Sequence, residues 1–367
     1  SEIYAFLNIL GEGEISGADT DLNKIADRIF KVKEVQRDYL DPPRNYKVDN
    51  SYVIILDGSD NEISRIKKKK FIDASEILLK EIKSGHKEIP KIESFLSQID
   101  VKQIKADAKS TADIFIKLYD ARTATQPVLG FSIKSLIGGK STLFNPNNNT
   151  NFIYELNNFR SFDKDDFNTR TYQGRYKLNR RIQELINNQI TLKFKKIESD
   201  NLYKNLFFID SSLPSMFSYM LIYNYYYNCK GISEITEYLE EHNPLNFPND
   251  ERKYYKYKIK RVLRDMAMGM TADCIWNGFY EANGGTIVVK DSGDIVCYHV
   301  YDIQIFEEYL FKNTFLETPS TGEDKDNPGF PKPNPKKRYF HSWVYEENDK
   351  LFIKLNLQVR YREGCVI

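Results

Sequence analysis

The segment Asp113-Ile-Phe-Ile-Lys-Leu-Tyr-Asp120 places Ile114, Ile116 and Leu118 two apart, with Asp113, Phe115 and Lys117 between them. That period specifies a strand with one face in a core. A small polar stretch ended by Pro127 follows, as suits a hairpin loop. The next run, Leu129-Gly-Phe-Ser-Ile-Lys-Ser135, puts Ser132 and Lys134 on one face and Phe131 and Ile133 on the other. Pairing the two strands brings an acidic side chain at the start of one close to a lysine on the other. A carboxylate and a lysine so placed make a minimal site for a divalent cation and a phosphate.

The 367 residues suffice for one elaborated domain or two to three subdomains. With 29% charged and 41% hydrophobic residues the composition is that of a globular protein rather than a disordered one. Lys+Arg 53 against Asp+Glu 52 leaves a net charge of +1, so the whole-chain basic excess common in nucleic-acid binders is absent. Basic groups do cluster at Lys67 to Lys70, Lys193 to Lys196 and Lys253 to Arg264, where a solvated face and a DNA-backbone contact are the two readings. Cys229, Cys274, Cys297 and Cys365 form no C-x-x-C pair, which excludes a zinc ribbon and suits free thiols in a reducing compartment. No apolar run reaches membrane-spanning length and no signal peptide precedes Ser1, so a cytoplasmic location is expected. The absence of an initiator methionine suggests that residues are missing upstream.

Along the chain, Ile3, Phe6, Leu7 and Leu10 predict a helix ended by Gly11, and Asp21 to Phe30 a further short helix. Tyr52 to Leu56 reads as a strand, Asp73 to Ile82 and Pro90 to Ile99 as helices. Residues 152–282 look mainly helical. Within them, Phe217 to Tyr227 is an aromatic run that could stack single-stranded bases, although its larger apolar residues favour a buried helix. In Lys256 to Met268, Lys258, Lys260, Arg261 and Arg264 form a basic face. Thr286 to Lys290 and Asp294 to Val300 flank the turn Asp-Ser-Gly293, and a helix at Gln304 to Lys312 follows. Pro319 to Lys337 reads as a loop, with a closing hairpin of Arg338 to Tyr345 and Leu351 to Arg362. Three consecutive blocks are expected: 1–155 carrying the site, 156–282 helical, and 283–367 rich in β-structure and DNA-contacting.

Competing chemistries find little support. Leu136-Ile-Gly-Gly-Lys-Ser141 fails as a phosphate loop, because the required first glycine is Lys134 and Pro146 interrupts the helix that should follow. His86, His242, His299 and His341 show no H-E-x-x-H spacing, and no G-x-S-x-G elbow exists. The run Asn145-Pro-Asn-Asn-Asn-Thr-Asn151 supplies amides that can read base edges or bond phosphates, or that simply punctuate turns.

The spacing D-x18-S-x-K from Asp113 to Lys134 resembles the PD-(D/E)xK nuclease signature, with Ser132 where the second acid usually stands. Around it, Gly130-Phe-Ser-Ile-Lys-Ser135, Ser141-Thr-Leu-Phe-Asn145 and Thr150-Asn-Phe-Ile-Tyr-Glu155 resemble the HpaII type of type II restriction endonuclease. So do Ser1 to Tyr4, Asp21 to Ile25, Asn283 to Gly285, Val296 to His299 and Leu355 to Arg360. The bare signature arises easily by chance; collinear matches at both ends are far more specific. The resemblance implies an α/β fold, a mixed sheet bearing the site and flanked by helices, with a helical insertion and a β-rich C-terminal part. It implies Mg2+-dependent cleavage of both strands of a short palindrome in double-stranded DNA, by a homodimer with a partner DNA methyltransferase, and CCGG is the target associated with the type.

On that resemblance Asp113 is the principal metal ligand, and Lys134 sits by the scissile phosphate. Serine is a poor magnesium ligand, so Ser132 leaves one carboxylate alone on the cation. Glu2, on the N-terminal helix, is the first candidate for the missing acid and Glu155 the second. Asn145 and Asn151 are expected to face DNA, joined by Ser135, Lys140 and Asn149. Two rivals stay open: a related nuclease with another role, and a DNA-binding protein that has lost cleavage with its acid at Ser132.

Overall fold

The fold is that of a computed structural model, which describes residues 2–37, 43–85, 90–101, 112–119, 124–137, 141–158, 162–170, 177–280, 282–319 and 341–362. Helix α1 (Glu2–Glu12) buries Phe6, Leu7 and Leu10 of the predicted stripe, together with Tyr4 and Ile9, while Ile3 is half-buried. It leads into β1 (Glu14–Ala18) and the long β2 (Lys24–Arg37). Residues 24–30 are therefore strand, not the helix expected over 21–30. The Asp19 carboxylate accepts from the backbone N–H of Asp21 and Asn23, both at 2.8 Å, closing a turn that folds β2 back onto β1. Pairing with β1 then gives this backbone ladder hydrogen bonds in place of a helix's own.

Strands β3 (Arg44–Val48), β4 (Tyr52–Leu56) and β5 (Glu62–Lys67) run as a meander into α2 (Lys68–Lys83) and α3 (Pro90–Gln98). The predicted hairpin forms as β6 (Ile114–Tyr119) and β7 (Val128–Ser135), followed by β8 (Thr142–Phe144) and β9 (Asn151–Asn157). The middle of the chain supplies α4 (Lys164–Thr169), α5 (Lys177–Asn187), β10 (Thr191–Ile197), α6 (Asp200–Ile209), α7 (Leu213–Tyr227), α8 (Ile232–His242) and α9 (Tyr254–Ala267). The last part supplies β11 (Gly285–Val289), β12 (Ile295–His299), α10 (Ile303–Asn313), β13 (Thr314–Leu316), β14 (Val344–Glu347), β15 (Lys350–Asn356) and β16 (Val359–Tyr361). The closing hairpin is β14 with β15, while β16 leaves it for another sheet; residues 320–340, which include most of the expected loop, lie outside the described residues.

Nine strands form the main sheet in the order β1-β12-β11-β7-β6-β2-β3-β4-β5, and β1 also pairs with β2, so the first six pairings return on themselves. β11 lies parallel to β7 and β12 parallel to β1; the other pairings are antiparallel. Strands from both ends of the chain thus meet at the hairpin. Two smaller sheets, β10-β9-β15-β14 and β13-β16-β8, complete the mixed α/β architecture.

The main sheet separates two cores. One gathers Leu7, Val35, Tyr46, Phe71, Ile116 and Ile287 under α1, α2 and α3. The other gathers Phe152, Leu206, Phe217, Ile259, Tyr309 and Leu355 from the remaining helices and small sheets. β11 shows the division at single-residue resolution: Ile287 and Val289 enter the first core and Val288 the second. A strand covered on both faces has to be apolar throughout. The aromatic run of α7 is likewise core, with Phe217, Met220 and Tyr225 wholly buried.

Candidate active site

Pairing of Ile114 with Phe131 and Ile116 with Leu129 sets the register of the β6–β7 hairpin. Asp113, one residue before β6, donates its backbone N–H to Phe131 O at 2.9 Å. Its side chain turns across the same pair, and Oδ2 accepts from the Ile133 N–H at 2.6 Å. One carboxylate oxygen is thereby fixed to the backbone just before Lys134. Burial pushes the Asp113 carboxyl above its ordinary range, opposed by the Ile133 N–H and the Lys134 charge. Lys134 is half-buried and makes no ion pair among the described residues.

Asp113 and Lys134 open together onto a cleft of about 260 Å³. Residues 142–145 and Asn147 line it, and most of 266–273 forms its other boundary. Asn145 is exposed there. Asn147 donates to both carboxylate oxygens of Asp273, at 2.9 and 3.1 Å, and Asn149 donates to Oδ1 at 2.6 Å. This clasp ties the asparagine loop to the 266–273 segment across the cleft. Sequence reasoning missed Asp273 and its segment altogether. No motif marks them; the packing of α9 against β8 and the bonds from Asn147, Asn149 and α6 bring them here.

A second, water-sized cavity of about 20 Å³ lies beside the first and is lined by Glu2, Phe6, Arg37, Val101, Asp113 and Ile133. Glu2 and Asp113, far apart in sequence, therefore line one small space. Arg37, unforeseen from the sequence, is 4% exposed there, its guanidinium 5.3 Å from the centre of the Phe6 ring. Two carboxylates on a space of this size, one penalised by burial, are a donor set suited to a small hard cation that keeps part of its water. Among the described residues, no group of three or more His, Cys, Asp or Glu side chains is placed to hold a metal.

Ser132 shares the strand face of Lys134 but is 2% exposed, and its hydroxyl has no hydrogen-bond partner among the described residues. Thr286, its register partner on β11, is equally buried and equally unpartnered. The Ser135 hydroxyl accepts from the Ile137 N–H at 3.2 Å. Lys140 lies outside the described residues. Asn151 is 1% exposed; its amide donates to Glu198 at 2.8 Å and accepts from Asn356 at 2.7 Å, so it braces the end of the asparagine loop from inside. Glu155 stands in β9, paired with Lys195 at 2.9 Å and Lys350 at 3.1 Å, which hold its carboxyl below the ordinary range, and it lines neither cavity. His299 is buried and stacked on Phe30 at 4.8 Å.

The basic face expected on α9 is largely neutralised within the fold. Lys258 pairs with Asp210, Lys260 with Glu308 at 2.9 Å, and Arg264 with Asp265 and Glu307. Charges so engaged have little left for a phosphate backbone.

Asp113 and Lys134, at one end of the adjacent central strands β6 and β7, thus face a cleft lined by Asn145 and Asn147. The chain belongs to the HpaII restriction endonuclease family, whose model matches residues 1–361. It is 33% identical over 366 residues to the type II restriction enzyme HpaII of Haemophilus parainfluenzae, a match that covers 98% of this chain and 96% of that enzyme. No solved structure matches it.

Proposed function

We propose that the protein is a Mg2+-dependent type II restriction endonuclease that hydrolyses both strands of a short palindrome in duplex DNA, with a PD-(D/E)xK-type site. The observation that carries this reading is the joint opening of Asp113 and Lys134 onto one cleft, with Asp113 fixed to the β7 backbone. Asp113 and Glu2 would hold the cation. When bound, it would supply charge neutralisation at the scissile phosphate and lower the cost of generating hydroxide. On this reading the Lys134 ammonium bonds a non-bridging phosphate oxygen and orients the attacking water. The 2.6 Å bond from Ile133 keeps the Asp113 carboxylate from rotating away. Exposed Asn145, with Ser135, Lys140 and Asn149 nearby in sequence, forms the first set of DNA contacts to test, and CCGG, the target associated with the family type, is the first sequence. Matched cuts in a palindrome call for two sites related by a two-fold axis, hence a homodimer on DNA, and for a methyltransferase that protects the host's own sites.

The test is digestion of unmethylated phage DNA in MgCl2, with EDTA and Lys134→Ala controls and sequencing of the fragment ends. Discrete EDTA-sensitive fragments, reduced about 10²–10³-fold in rate by Lys134→Ala, are expected. The serine at position 132, where the signature has an acid, motivates one rival, a DNA-binding protein without cleavage. That rival stands if the DNA stays intact in every metal while a specific gel shift persists.

A further inference from the structure

The segment that bounds the cleft continues into Cys274-Ile-Trp-Asn-Gly-Phe-Tyr280, which has no helix or strand of its own yet is tightly held. Buried Asn205 of α6 donates to the carbonyls of Thr271 at 3.0 Å and Cys274 at 2.8 Å, and accepts from the Trp276 N–H at 3.0 Å. Asn201 donates to the Asp273 carbonyl at 3.3 Å, and Ser199 to that of Ala272 at 3.2 Å. Trp276 and Tyr280 pack inward against the core. Their neighbours point the other way: Ile275 is 82% exposed and Phe279 79% exposed. Phe208 of α6, 65% exposed, lies against this loop and meets Trp276 edge-on at 6.1 Å. A loop fixed by three side chains of a neighbouring helix so as to hold two large apolar groups in water is costly unless something covers them.

We infer that Ile275 and Phe279 are an apolar wedge that enters the DNA duplex and opens a base step next to the cleaved phosphate. The inference rests on the nuclease reading above. Position selects DNA over other occupants. Ile275 lies two residues beyond Asp273, which lines the cleft with Asp113 and Lys134. Two residues span at most about 7 Å and six, to Phe279, at most about 20 Å. A duplex rises about 3.4 Å per base pair, so the chain's reach keeps the two side chains within about two and about six base pairs of the cleft. Proteins that bind the minor groove frequently insert such apolar side chains between base steps and kink the duplex by roughly 20–90°. Rigid anchoring suits this role, because the wedge does not have to be ordered when DNA binds.

The test compares the parent with Ile275→Ser/Phe279→Ser, both exposed positions whose change leaves the fold intact. Each is used in CaCl2 with duplexes carrying the site identified by digestion, and the bend is read from donor–acceptor distance between labelled duplex ends. A bend in the parent, its loss in the double variant, at least tenfold weaker binding, and partial rescue on a duplex nicked or mismatched beside the site are the expected results. An equal bend and equal affinity in both proteins overturn the wedge while leaving the nuclease reading in place. If the parent neither binds nor cuts DNA, the nuclease reading itself fails. Should sedimentation without DNA show a dimer that the double variant turns into monomer, the patch is a face for a second copy and the wedge is wrong.

Discussion

Asp113 is harder to ionise in the folded chain than in the unfolded one, because burial outweighs its bond from Ile133 and the charge of Lys134. As pH rises through the ordinary carboxylate range, about 3.9, the unfolded state loses its proton first and stability falls until the folded group follows. Asp113→Asn removes that penalty and keeps an oxygen for the Ile133 N–H. The variant should melt above the parent at pH 8, with the difference vanishing below about pH 4. MgCl2 should raise the melting temperature of the parent and not of the variant; calorimetry across pH and metal concentration checks both. Glu2 and Glu155, the two candidates for the second acid, are separated by environment: Glu2 shares a cavity with Asp113, and Glu155 is spent on Lys195 and Lys350. Glu2→Gln should weaken magnesium dependence and cleavage, whereas Glu155→Gln should leave the cleavage rate unchanged.

At the scale of elements, β11 is what joins the N-terminal hairpin to the rest of the protein. It starts at Gly285, whose φ of +121° is strained for any L side chain and whose added Cβ would stand 2.0 Å from the Tyr298 carbonyl oxygen. Gly285→Ala should cost more than about 1 kcal/mol in urea unfolding. It should also slow cleavage, since Gly285 to Val289 pair directly with Phe131 to Ser135 around Lys134. The elements themselves divide by how local their causes are. The hairpin at 113–135, the helix at α1 and the β11–β12 pair were legible because each carries its own period or turn signal. The segment 21–30 was not, because its apolar spacing fits a helix and only pairing with β1 makes its residues 24–30 a strand. The basic face of α9 misled for a related reason: its partners Asp210, Glu307 and Glu308 come from other elements.

For the whole molecule, the palindromic target proposed above calls for two copies of the site related by a two-fold axis. Sedimentation with a single-site duplex in CaCl2 should give two chains per duplex, whereas a one-to-one complex that still cuts both strands would contradict the homodimer. No single helix among the described residues is long and apolar enough to cross a membrane. The sequence by itself determined the hairpin, the acid and lysine on it, the mixed α/β class and the family, because alternation and collinear motifs are properties of order along the chain. Only the tertiary structure decided that Glu2 rather than Glu155 lies beside Asp113, that Asp273 closes the cleft, and that Asn151 is buried. These depend on which distant segments the two cores press together, and burial and pairing between segments far apart leave no local period to read.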